Sequence, residues 1–598
     1  MTLKDTQTSS YLLSHQDDPV NWHPWGEEAI AQAKKKNRPI LLSIGDSASH
    51  DCKVMASEAF TSNQIAKLMN NQFVNILVDR NERRDVDRVY QTAHRLLTRS
   101  GGGWPLTVFL DPNDLLPFYS GTYFPAQANE KAPAFRDVLK RMSDTYETQF
   151  EKISEFKPKL LEAIVKAVGG GESSEVGERL VDRACAQIDN SFDEKYGGFE
   201  STPKYPHAPG LAFLNGAIEH AGNEEQATRA THMLDFTLAQ LSLGGMHDHI
   251  GGGLFGYSAE RDWSIPHFEK TLADNAQLIS VFAERAQETN VPWFKHVANQ
   301  AADWMLREML LTNGAFATSL DARSNNTEGR YYTWSKDEVK AVLTDDASEF
   351  SFAFGLDKSA NFRGKWHLAC KMPETLSELP GEESIETYKG YFQKLLDARH
   401  SRHAPYRDET VVAAWNALAI KALFDLARSA DREDCSTAGF ATIDYLRDVH
   451  WRNSTLAATS KDGKPGVAGY LEDYAFLLDA LVSLDTDKRR SEDLEFATDL
   501  ADSMVSRFYD DNNGGFFFVQ REDAAPLHAL KIFADDWIPS GNAIALSGLI
   551  SLSRITDDNQ HAEIIERSLK AGMGDTNDWP SAHASMVRAS MRFENFRQ

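Results

Sequence analysis

One stretch of the chain, residues 244–275, gathers side chains that can move protons. It contains three histidines, several carboxylates, Tyr257 and Trp263, and a run of glycines interrupts it. Histidine is the natural acid or base near neutral pH, and irregular glycine-rich loops often carry functional sites. His247 and His249 are separated by one residue, which suits a turn better than one face of a helix. The stretch therefore predicts a site for acid–base chemistry.

The sequence predicts neither a metal nor a cofactor. His247 and His249 lack a third ligand at a fixed spacing, and the four cysteines lie far apart in the chain. For any single histidine of the stretch, a structural hydrogen bond in a buried loop is an alternative to catalysis.

Further carboxylates and aromatic rings occur at predicted helix starts and in loops. Glu472 and Asp473 begin an apolar helical stretch, where plain helix capping is the alternative interpretation. Asp321 and Trp415 are additional candidates. Aromatic rings stack on the C–H faces of sugars, while carboxylates accept hydrogen bonds from hydroxyl groups. The combination favours a small-molecule carbohydrate as the substrate.

Most of the chain, from about residue 175 onward, is predicted to be helical. Amphipathic stretches recur there with few strand signals, and a glycine–aromatic motif punctuates them at 192–199, 251–257, 313–316 and 509–518. A repeated link between helices indicates stacked helical hairpins. Six hairpins closed into a ring would make an (α/α)6 toroid with a central cleft, and an open α-solenoid is the alternative.

The first 126 residues instead alternate strand and helix signals, which predicts an α/β layer. The apolar strand 40–44 leads into Ser49-His50-Asp51-Cys52. A thioredoxin-like fold places its Cys-x-x-Cys pair at such a strand–turn–helix junction, where the helix N-terminus activates the first thiol. Here Ser49 replaces that thiol and Cys52 has no local partner, so we expect no redox activity. Pro105 is the candidate cis-proline facing this turn, with a trans proline as the alternative.

The glycine- and serine-rich run 169–174 is the best domain boundary in the sequence. We therefore expect a domain at 1–168 that ends in a helical bridge, and a barrel at 175–598. The net charge of −25 argues against nucleic acid as a partner, since a phosphate backbone would be repelled. No signal sequence or membrane span is evident, so a cytoplasmic protein without membrane association is expected.

Several motifs, taken together, resemble the spermatogenesis-associated, thioredoxin-like family, also called domain of unknown function 255. The motifs are Ser10-Tyr-Leu-Leu-Ser-His15, Gly102-Gly-Trp-Pro105, Asp248-His249-Ile-Gly-Gly-Gly253, Pro266-His-Phe-Glu-Lys270, Asp274-Asn275, Trp415-Asn416 and Tyr470-Leu-Glu-Asp-Tyr474. The resemblance implies a multidomain protein: an α/β thioredoxin-like domain followed by an all-α (α/α)6 toroid. That toroid would be similar to N-acylglucosamine 2-epimerases and six-hairpin glycosidases.

The resemblance also implies roles for individual residues. Epimerases of the similar barrel use a pair of histidines to remove and return a proton beside a carbonyl, which assigns this chemistry to His249 and His267. Three carboxylates would then bind substrate hydroxyls or shift the pKa of the histidines. They are Glu269, Asp274 and Glu472. The residues expected to bind substrate are His247, Tyr257, Trp263, Asn275, Asp321, Trp415 and Asp473.

Two alternatives to an epimerase are open. A glycosidase would use two carboxylates, Asp274 with Glu472 or Asp473, at a separation of about 5–10 Å and without a facing histidine pair. A non-catalytic regulatory protein is the other alternative, with a protein partner bound at the thioredoxin-like domain. The loss of the first cysteine at Ser49 motivates this second alternative.

The chain departs from the family pattern at several positions. The family has cysteine at position 49, tryptophan at Asp51 and histidine at Lys53, so the redox motif is degenerate. In the barrel, Arg323 and Thr410 stand where the family has an acid and a lysine. The resemblance therefore predicts the fold more firmly than the activity.

Overall fold

The computed structural model describes residues 3, 9–130, 132–199, 202–370, 375–486, 488–523 and 525–597. The chain divides into two compact units. The α/β unit comprises residues 1–171, 457–470 and 516–532, and the helical unit comprises 172–456, 471–515 and 533–598. The expected boundary at 169–174 thus coincides with the first break. The α/β unit also includes residues 457–470 and 516–532, which lie within the expected barrel at 175–598.

A five-stranded mixed sheet forms the centre of the α/β unit. Its strands are β1 (Trp22–Pro24), β2 (Ile40–Gly45), β3 (Val74–Asp79), β4 (Leu106–Leu110) and β5 (Pro117–Gly121), in the order β1-β3-β2-β4-β5. Strand β3 pairs parallel with β1 and β2, while β4 pairs antiparallel with β2 and β5. Every residue of β2, β3 and β4 is buried, which explains why these strands are continuous apolar runs in the sequence.

Helices cover this sheet, and two later segments complete its core. The helices are α1 (Ser10–Ser14), α2 (Glu27–Lys36), α3 (His50–Met55), α4 (Asn63–Gln72), α5 (Arg84–Thr98), α6 (Phe135–Thr148) and α7 (Phe150–Val168). Tyr470, Phe518 and Leu530 belong to the same apolar cluster as Leu42 and Ile44 of β2. The later segments therefore belong to this unit because they bury their apolar side chains in it.

The helical unit contains the remaining helices and several short strands. The helices are α8 (Leu180–Asn190), α9 (Ala208–Glu219), α10 (Glu224–Leu243), α11 (Leu272–Thr289), α12 (Pro292–Trp304), α13 (Lys336–Leu343), α14 (Ala347–Ala353), α15 (Glu382–Arg399), α16 (Ala413–Ala430), α17 (Glu433–Tyr445), α18 (Leu471–Val482), α19 (Ser491–Phe508), α20 (Gly541–Thr556), α21 (Ala562–Asp578) and α22 (Ala584–Arg597). The strands are β6 (Lys270–Thr271), β7 (Ser319–Leu320), β8 (Arg323–Ser324), β9 (Thr327–Glu328), β10 (Arg407–Asp408), β11 (Val411–Val412), β12 (Trp451–Arg452) and β13 (Thr455–Leu456).

Six of these helices form a closed inner ring. Helix α9 packs on α11, α11 on α16, α16 on α18, α18 on α20, α20 on α22, and α22 returns to α9. Helices α10, α12, α17, α19 and α21 each pack outside the inner helix that precedes them in the chain. Helix α8 packs on α22, and it also bonds to the chain just before that helix: Arg183 donates to Asn577 O at the end of α21, and Gln187 accepts from Ser581. This closure makes the unit an (α/α)6 toroid and excludes the open solenoid.

The glycine–aromatic repeat is a turn that follows an outer helix. Asp193, Asp248 and Asp510 each begin such a turn, and each accepts backbone N–H groups two or three residues further on. The backbone of each aspartate then pairs with two glycines at positive φ, a region that glycine enters without steric cost. Those glycines are Gly197, Gly198, Gly252, Gly253, Gly514 and Gly515. The repeat therefore marks how the chain turns from one helix of a hairpin to the next.

None of the helices among the described residues is long and apolar enough to cross a membrane.

Candidate functional site

A buried ion cluster fixes both ends of the predicted site loop. Lys270 Nζ lies 2.7 Å from Asp248 Oδ2, and the Arg399 guanidinium donates to both Asp248 oxygens at 2.8 and 2.9 Å. Lys270 also donates to the Gly252 carbonyl at 2.7 Å. Lys270 and Arg399 are fully buried. Asp248 opens the loop and Lys270 ends it, so this cluster holds the intervening residues in a closed loop.

The electrostatics of the cluster follow from burial and pairing. Burial alone would raise the pKa of Asp248, but the charges of Arg399 and Lys270 hold it well below its usual value. Burial lowers the pKa of Lys270 to about 8, against the opposing effect of Asp248. The ammonium also lies 4.9 to 5.4 Å from the ring centroids of Tyr332, Phe255 and Trp304. These contacts partly replace the hydration that burial removes.

Three buried histidines support the start of the loop. We call His247, His249 and His367 the histidine cluster. Their ring nitrogens donate to consecutive parts of one turn: His247 to Ser242 O at 3.1 Å, His249 to Gly244 O at 3.2 Å and His367 to Gly245 O at 2.6 Å. Burial lowers the pKa of His249 and of His367 to about 4, and that of His247 also falls well below its usual value. These imidazoles are neutral donors at physiological pH.

His249 and His267, the expected acid–base pair, have separate surroundings. His249 is 1% exposed, and its ring packs against His247, Phe354 and Phe392. His267 is half-buried and stacks on Tyr257. A substrate carbon could not reach His249 without opening this packing. The structure therefore gives His249 a structural hydrogen bond and leaves His267 as the accessible imidazole.

Two carboxylates converge on Gly256. A Cβ atom placed on that glycine would lie 3.2 Å from Asp274 Oδ2 and 3.9 Å from Glu269 Oε1. Both side chains are half-buried. We call Glu269 and Asp274 the carboxylate pair. Glu269 is thus a second carboxylate beside Asp274 at Gly256. The pairing of Asp274 with Glu472 or Asp473, suggested by the sequence, stays a prediction.

The local fold explains the position of the carboxylate pair. Strand β6 pairs with β7, which sets the direction in which the chain enters helix α11. Thr271 caps that helix: its hydroxyl accepts from Asp274 N at 3.1 Å and donates to Asp274 Oδ2 at 2.5 Å. The N-terminal end of α11 and this hydroxyl both stabilise a charged Asp274 carboxylate.

A stack of three rings adjoins the carboxylate pair. Tyr205 lies on Tyr257 with centroids 4.9 Å apart, and Tyr257 lies on His267 at 4.3 Å, both at 21° between planes. Tyr257 follows Gly256 in the chain, and His267 precedes Glu269 by two residues. We call Tyr205, Tyr257 and His267 the aromatic stack. Tyr205 is 41% exposed, so one end of the stack faces solvent.

Glu328 completes the surroundings of His267. Its Oε1 atom lies 3.6 Å from His267 Nδ1, and its Oε2 atom accepts from Arg363 at 3.1 Å. Sequence reasoning missed Glu328, Arg363 and Tyr205. They lie more than fifty residues from the loop or in a turn without a recognisable motif, so no local signal could have identified them.

The other predicted residues at helix starts are buried. Glu472 and Asp473 open inner helix α18, and Asp473 accepts from Ala414 N at the start of α16. The Trp415 ring meets Trp537 edge-on at 5.4 Å. Inner helices α11, α16 and α18 all begin at the same end of the ring, since consecutive inner helices are joined through outer ones. These residues thus share that end with the carboxylate pair.

Trp263, Asn275 and Asp321 are also buried, and each has a structural bond. Trp263 donates to Tyr196 O, and Asn275 bonds only to the backbone of Leu254 and Thr271 in the contacts described. Asp321 accepts from Arg323 N. Within the described residues, no group of three or more histidine, cysteine or acidic side chains is arranged to hold a metal ion.

In the α/β unit, Ser49 occupies the position of the attacking thiol. Its hydroxyl caps helix α3 by accepting from Cys52 N and donates to Trp104 O at 3.3 Å. The Trp104–Pro105 peptide is cis, as the sequence had suggested for Pro105. Cys52 is 2% exposed, and burial raises the pKa of its thiol far above the usual value, with Asp46 adding to the effect. The two positions that carry the cysteine pair of a thioredoxin-like site thus hold a hydroxyl and a buried thiol whose pKa is raised.

The α/β unit has the thioredoxin-like strand order, and the helical unit is an (α/α)6 toroid. A family model described as a protein of unknown function, DUF255, matches residues 2–165. Spermatogenesis-associated protein 20 of Rattus norvegicus is 32% identical over 98% of this chain and 79% of its own length. The Homo sapiens protein of the same name is 30% identical over 98% and 80%. The chain belongs to the spermatogenesis-associated protein 20 family.

Solved structures similar to the toroid have low sequence identity. A cellobiose 2-epimerase from Bacillus thermoamylovorans is 12% identical, with a TM-score of 0.41, over 66% of this chain and 86% of its own. A family 76 glycoside hydrolase from Bacteroides thetaiotaomicron is 10% identical, with a TM-score of 0.42, over 82% and 84%. At these values the likeness carries no information about activity.

We expect no thiol–disulfide exchange by the protein. Insulin reduction by dithiothreitol should proceed at the same rate with and without it, because Ser49 cannot form a mixed disulfide and the Cys52 thiol stays protonated. The turbidity assay for insulin measures this directly. Acceleration by the wild-type protein that disappears in Cys52→Ser, but persists in the matched control Cys185→Ser, would contradict the expectation.

The histidine cluster predicts acid instability. Because the pKa of His249 and of His367 falls from 6.5 to about 4 on folding, the unfolded chain binds more protons between these values. The free energy of unfolding should therefore drop as pH falls from 6.5 to 4, by about 3 kcal/mol for each histidine. Urea titrations across this pH range measure the drop.

Replacing His249 should make this pH profile shallower. His249→Phe removes one buried proton acceptor, while the matched control His220→Phe changes an exposed imidazole and should keep the wild-type slope. Equal slopes in all three proteins would show that the histidine cluster does not cause the acid instability.

Proposed function

We propose that the helical unit is a carbohydrate-active enzyme in which Glu269 and Asp274 act as a general acid and base on a glycosidic bond. The observation that carries the proposal is the convergence of the two carboxylates on Gly256. Paired carboxylates on either side of a bond are the standard machinery of glycoside hydrolysis. A glycine at that point leaves the space for the substrate that a side chain would fill.

The aromatic stack supports a sugar as the substrate. Tyr205 presents an exposed ring, and the stacked rings of Tyr257 and His267 continue from it toward the carboxylate pair. Pyranose rings pack their C–H faces on such surfaces, while carboxylates bind the hydroxyls at the ring edge. The stack would hold a sugar residue next to the bond that is cleaved.

The different environments of the two carboxylates assign their roles. Asp274 lies at the N-terminal end of α11 with the Thr271 hydroxyl on it, so its charged form is stabilised and it suits the base or nucleophile. Glu269 lies on the extended segment before the helix and would donate its proton to the departing glycosidic oxygen. If Asp274 is the nucleophile, its bond to the anomeric carbon is broken by a water molecule that Glu269 deprotonates, which restores the Glu269 proton. If Asp274 is the base, it takes the proton of the attacking water, and that proton is exchanged back to Glu269 through solvent. In both cases water supplies the hydroxyl of the new reducing end.

Epimerisation or isomerisation of a sugar is the second candidate, and His267 is the observation that favours it. Glu328 lies 3.6 Å from His267 Nδ1, which orients the imidazole so that its Nε2 atom can take a proton beside a carbonyl. A member of the carboxylate pair would return the proton. This route would use one histidine and one carboxylate in place of the histidine pair that the sequence had suggested.

Screening a panel of nitrophenyl glycosides and reducing sugars tests the proposal. We expect hydrolysis of at least one glycoside, reduced by about 100-fold or more in Glu269→Gln and Asp274→Asn, because each removes a proton-transfer group. Gly256→Ala should be as damaging, since its methyl group would lie 3.2 Å from Asp274 Oδ2. Glu260→Gln and Asp262→Asn are the matched controls, because both acids are exposed on the same loop.

Running the same panel in heavy water distinguishes the two reactions. The second candidate would replace hydrolysis if deuterium from heavy water appeared at a sugar carbon while no glycoside was cleaved. This incorporation of deuterium should be lost in His267→Ala. Absence of both reactions across the panel, with a folded protein, would overturn the enzyme proposal in favour of a regulatory protein.

A further inference from the structure

Two tight hairpins of the helical unit carry arginines to the candidate active site. The first joins β8 to β9 through residues 325–326, and the second is the segment 362–365, whose end residues exchange two backbone hydrogen bonds. Arg363 lies in the turn of the second hairpin. In both turns the two central residues have positive φ, between 46° and 78°. Two-residue turns of this kind match the twist of paired strands, so the backbone holds the arginines in defined positions.

Both hairpins pack on the loop that carries the candidate site. A Cβ atom placed on Gly329, directly after the first hairpin, would lie 2.7 Å from the Phe268 ring and 2.9 Å from the Phe362 ring. The rings of Phe268 and Phe362 also meet edge-on, with centroids 5.0 Å apart. Phe268 stands between His267 and Glu269 in the chain. The missing side chain of Gly329 therefore lets both hairpins approach the site closely.

Glu328 connects Arg363 to the aromatic stack. Arg363 Nη2 donates to Glu328 Oε2 at 3.1 Å, and Glu328 Oε1 lies 3.6 Å from His267 Nδ1. The Arg363 side chain is 55% exposed, and this is its only hydrogen bond in the contacts described. A guanidinium has five N–H donors, and two of them can hold one carboxylate. Arg363 thus lies beside the stack with donors that a ligand can reach.

Arg323 adds a second guanidinium on the same face of the first hairpin. It lies directly opposite Glu328 in the register of the two strands, and opposite residues of a strand pair project to one face. Its Nη2 atom donates to Asn326 O at 2.6 Å. Within the described residues, no carboxylate pairs with this side chain. Its charge is therefore not neutralised by a direct contact.

The balance of charges suits a ligand group with one negative charge. Arg323 and Arg363 exceed Glu328 by one positive charge, in a chain whose net charge is −25. A carboxylate carries one charge, and its two oxygens match the paired N–H groups of a guanidinium. A phosphate ester carries close to two charges near neutral pH. Glu269 and Asp274 would repel an anionic group, so it would be held at the arginines.

We propose that the sugar bound at the candidate active site carries a carboxylate, as a uronic acid does, and that Arg363 and Arg323 bind this group. The inference rests on the proposed function, because it names the class of sugar on which the carboxylate pair would act. The sugar ring would lie on the aromatic stack, with its carboxylate at Arg363. The two arginines would then determine specificity, since they favour a uronic acid over the neutral sugar of the same configuration.

Binding of D-glucuronate and D-galacturonate to the full-length protein tests the proposal without requiring turnover. Saturation-transfer NMR and calorimetry measure it, with D-glucose, D-galactose and D-glucuronamide as neutral counterparts. We expect at least one uronate to bind about tenfold or more tightly than its neutral counterparts. Raising the salt concentration should reduce this preference, because the ion pair forms at an exposed side chain.

Variants of the hairpins locate the binding. Arg363→Gln should remove most of the preference for the uronate, about tenfold, and Arg323→Gln a smaller part of it. Lys365→Gln is the matched control, because this exposed lysine of the same hairpin pairs with Glu338 at 3.2 Å. It should bind the uronate like wild type, whereas a loss equal to that of Arg363→Gln would overturn the proposal by showing a general effect of charge.

Three other results would overturn the proposal. They are a uronate that binds no better than its neutral counterparts, affinity that survives both arginine substitutions, and tighter binding of glucose 6-phosphate than of glucuronate. Cleavage of neutral glycosides without a preference for uronates would overturn this inference and leave the proposed function intact. Arginine-dependent binding of a uronate with no turnover of any glycoside or sugar would support the inference and count against the proposed function.

Discussion

The buried pairing of Asp248 with Lys270 and Arg399 is the interaction on which the rest of the candidate site depends. The partners come from the start of the glycine-rich loop, from its end at strand β6, and from helix α15. Removing Asp248 would leave two buried cations without a counter-charge, a situation that typically costs about 3–5 kcal/mol. Because the ion pairs join the two ends of the loop, they fix the path of the backbone from residue 248 to residue 270, including Gly256 and Tyr257.

Burial around the ion cluster also determines which side chains a substrate can reach. The dry surroundings that strengthen the ion cluster also keep His247, His249 and His367 neutral and bonded to backbone carbonyls. Proton transfer to a substrate requires access as well as a suitable side chain. The accessible groups lie further along the loop, at His267, Glu269 and Asp274, where the chain emerges from the core.

Strand β2 of the α/β unit could be predicted because all of its residues are buried, which gives it a continuous apolar run in the sequence. The expected strand 40–44 matches Ile40–Gly45. The helical periodicity alone left closure of the ring open, because closure depends on α22 meeting α9 and α8, which are distant in sequence. The family resemblance predicted the toroid, and that prediction is confirmed. Tyr470 and Phe518 enter the α/β core, yet an apolar side chain gives no sign of which core it will join. Asp274 and Glu269 were identifiable from sequence, but their convergence on Gly256 was not.

A crystal structure of Glu269→Gln soaked with a glycoside that the wild-type enzyme cleaves would test the central claim most directly. Our account predicts a sugar ring on the aromatic stack, with its glycosidic oxygen within hydrogen-bond distance of residue 269 and its anomeric carbon facing Asp274. Ligand density at the carboxylate pair with that bond turned away from both side chains, or density confined to other parts of the toroid, would contradict it.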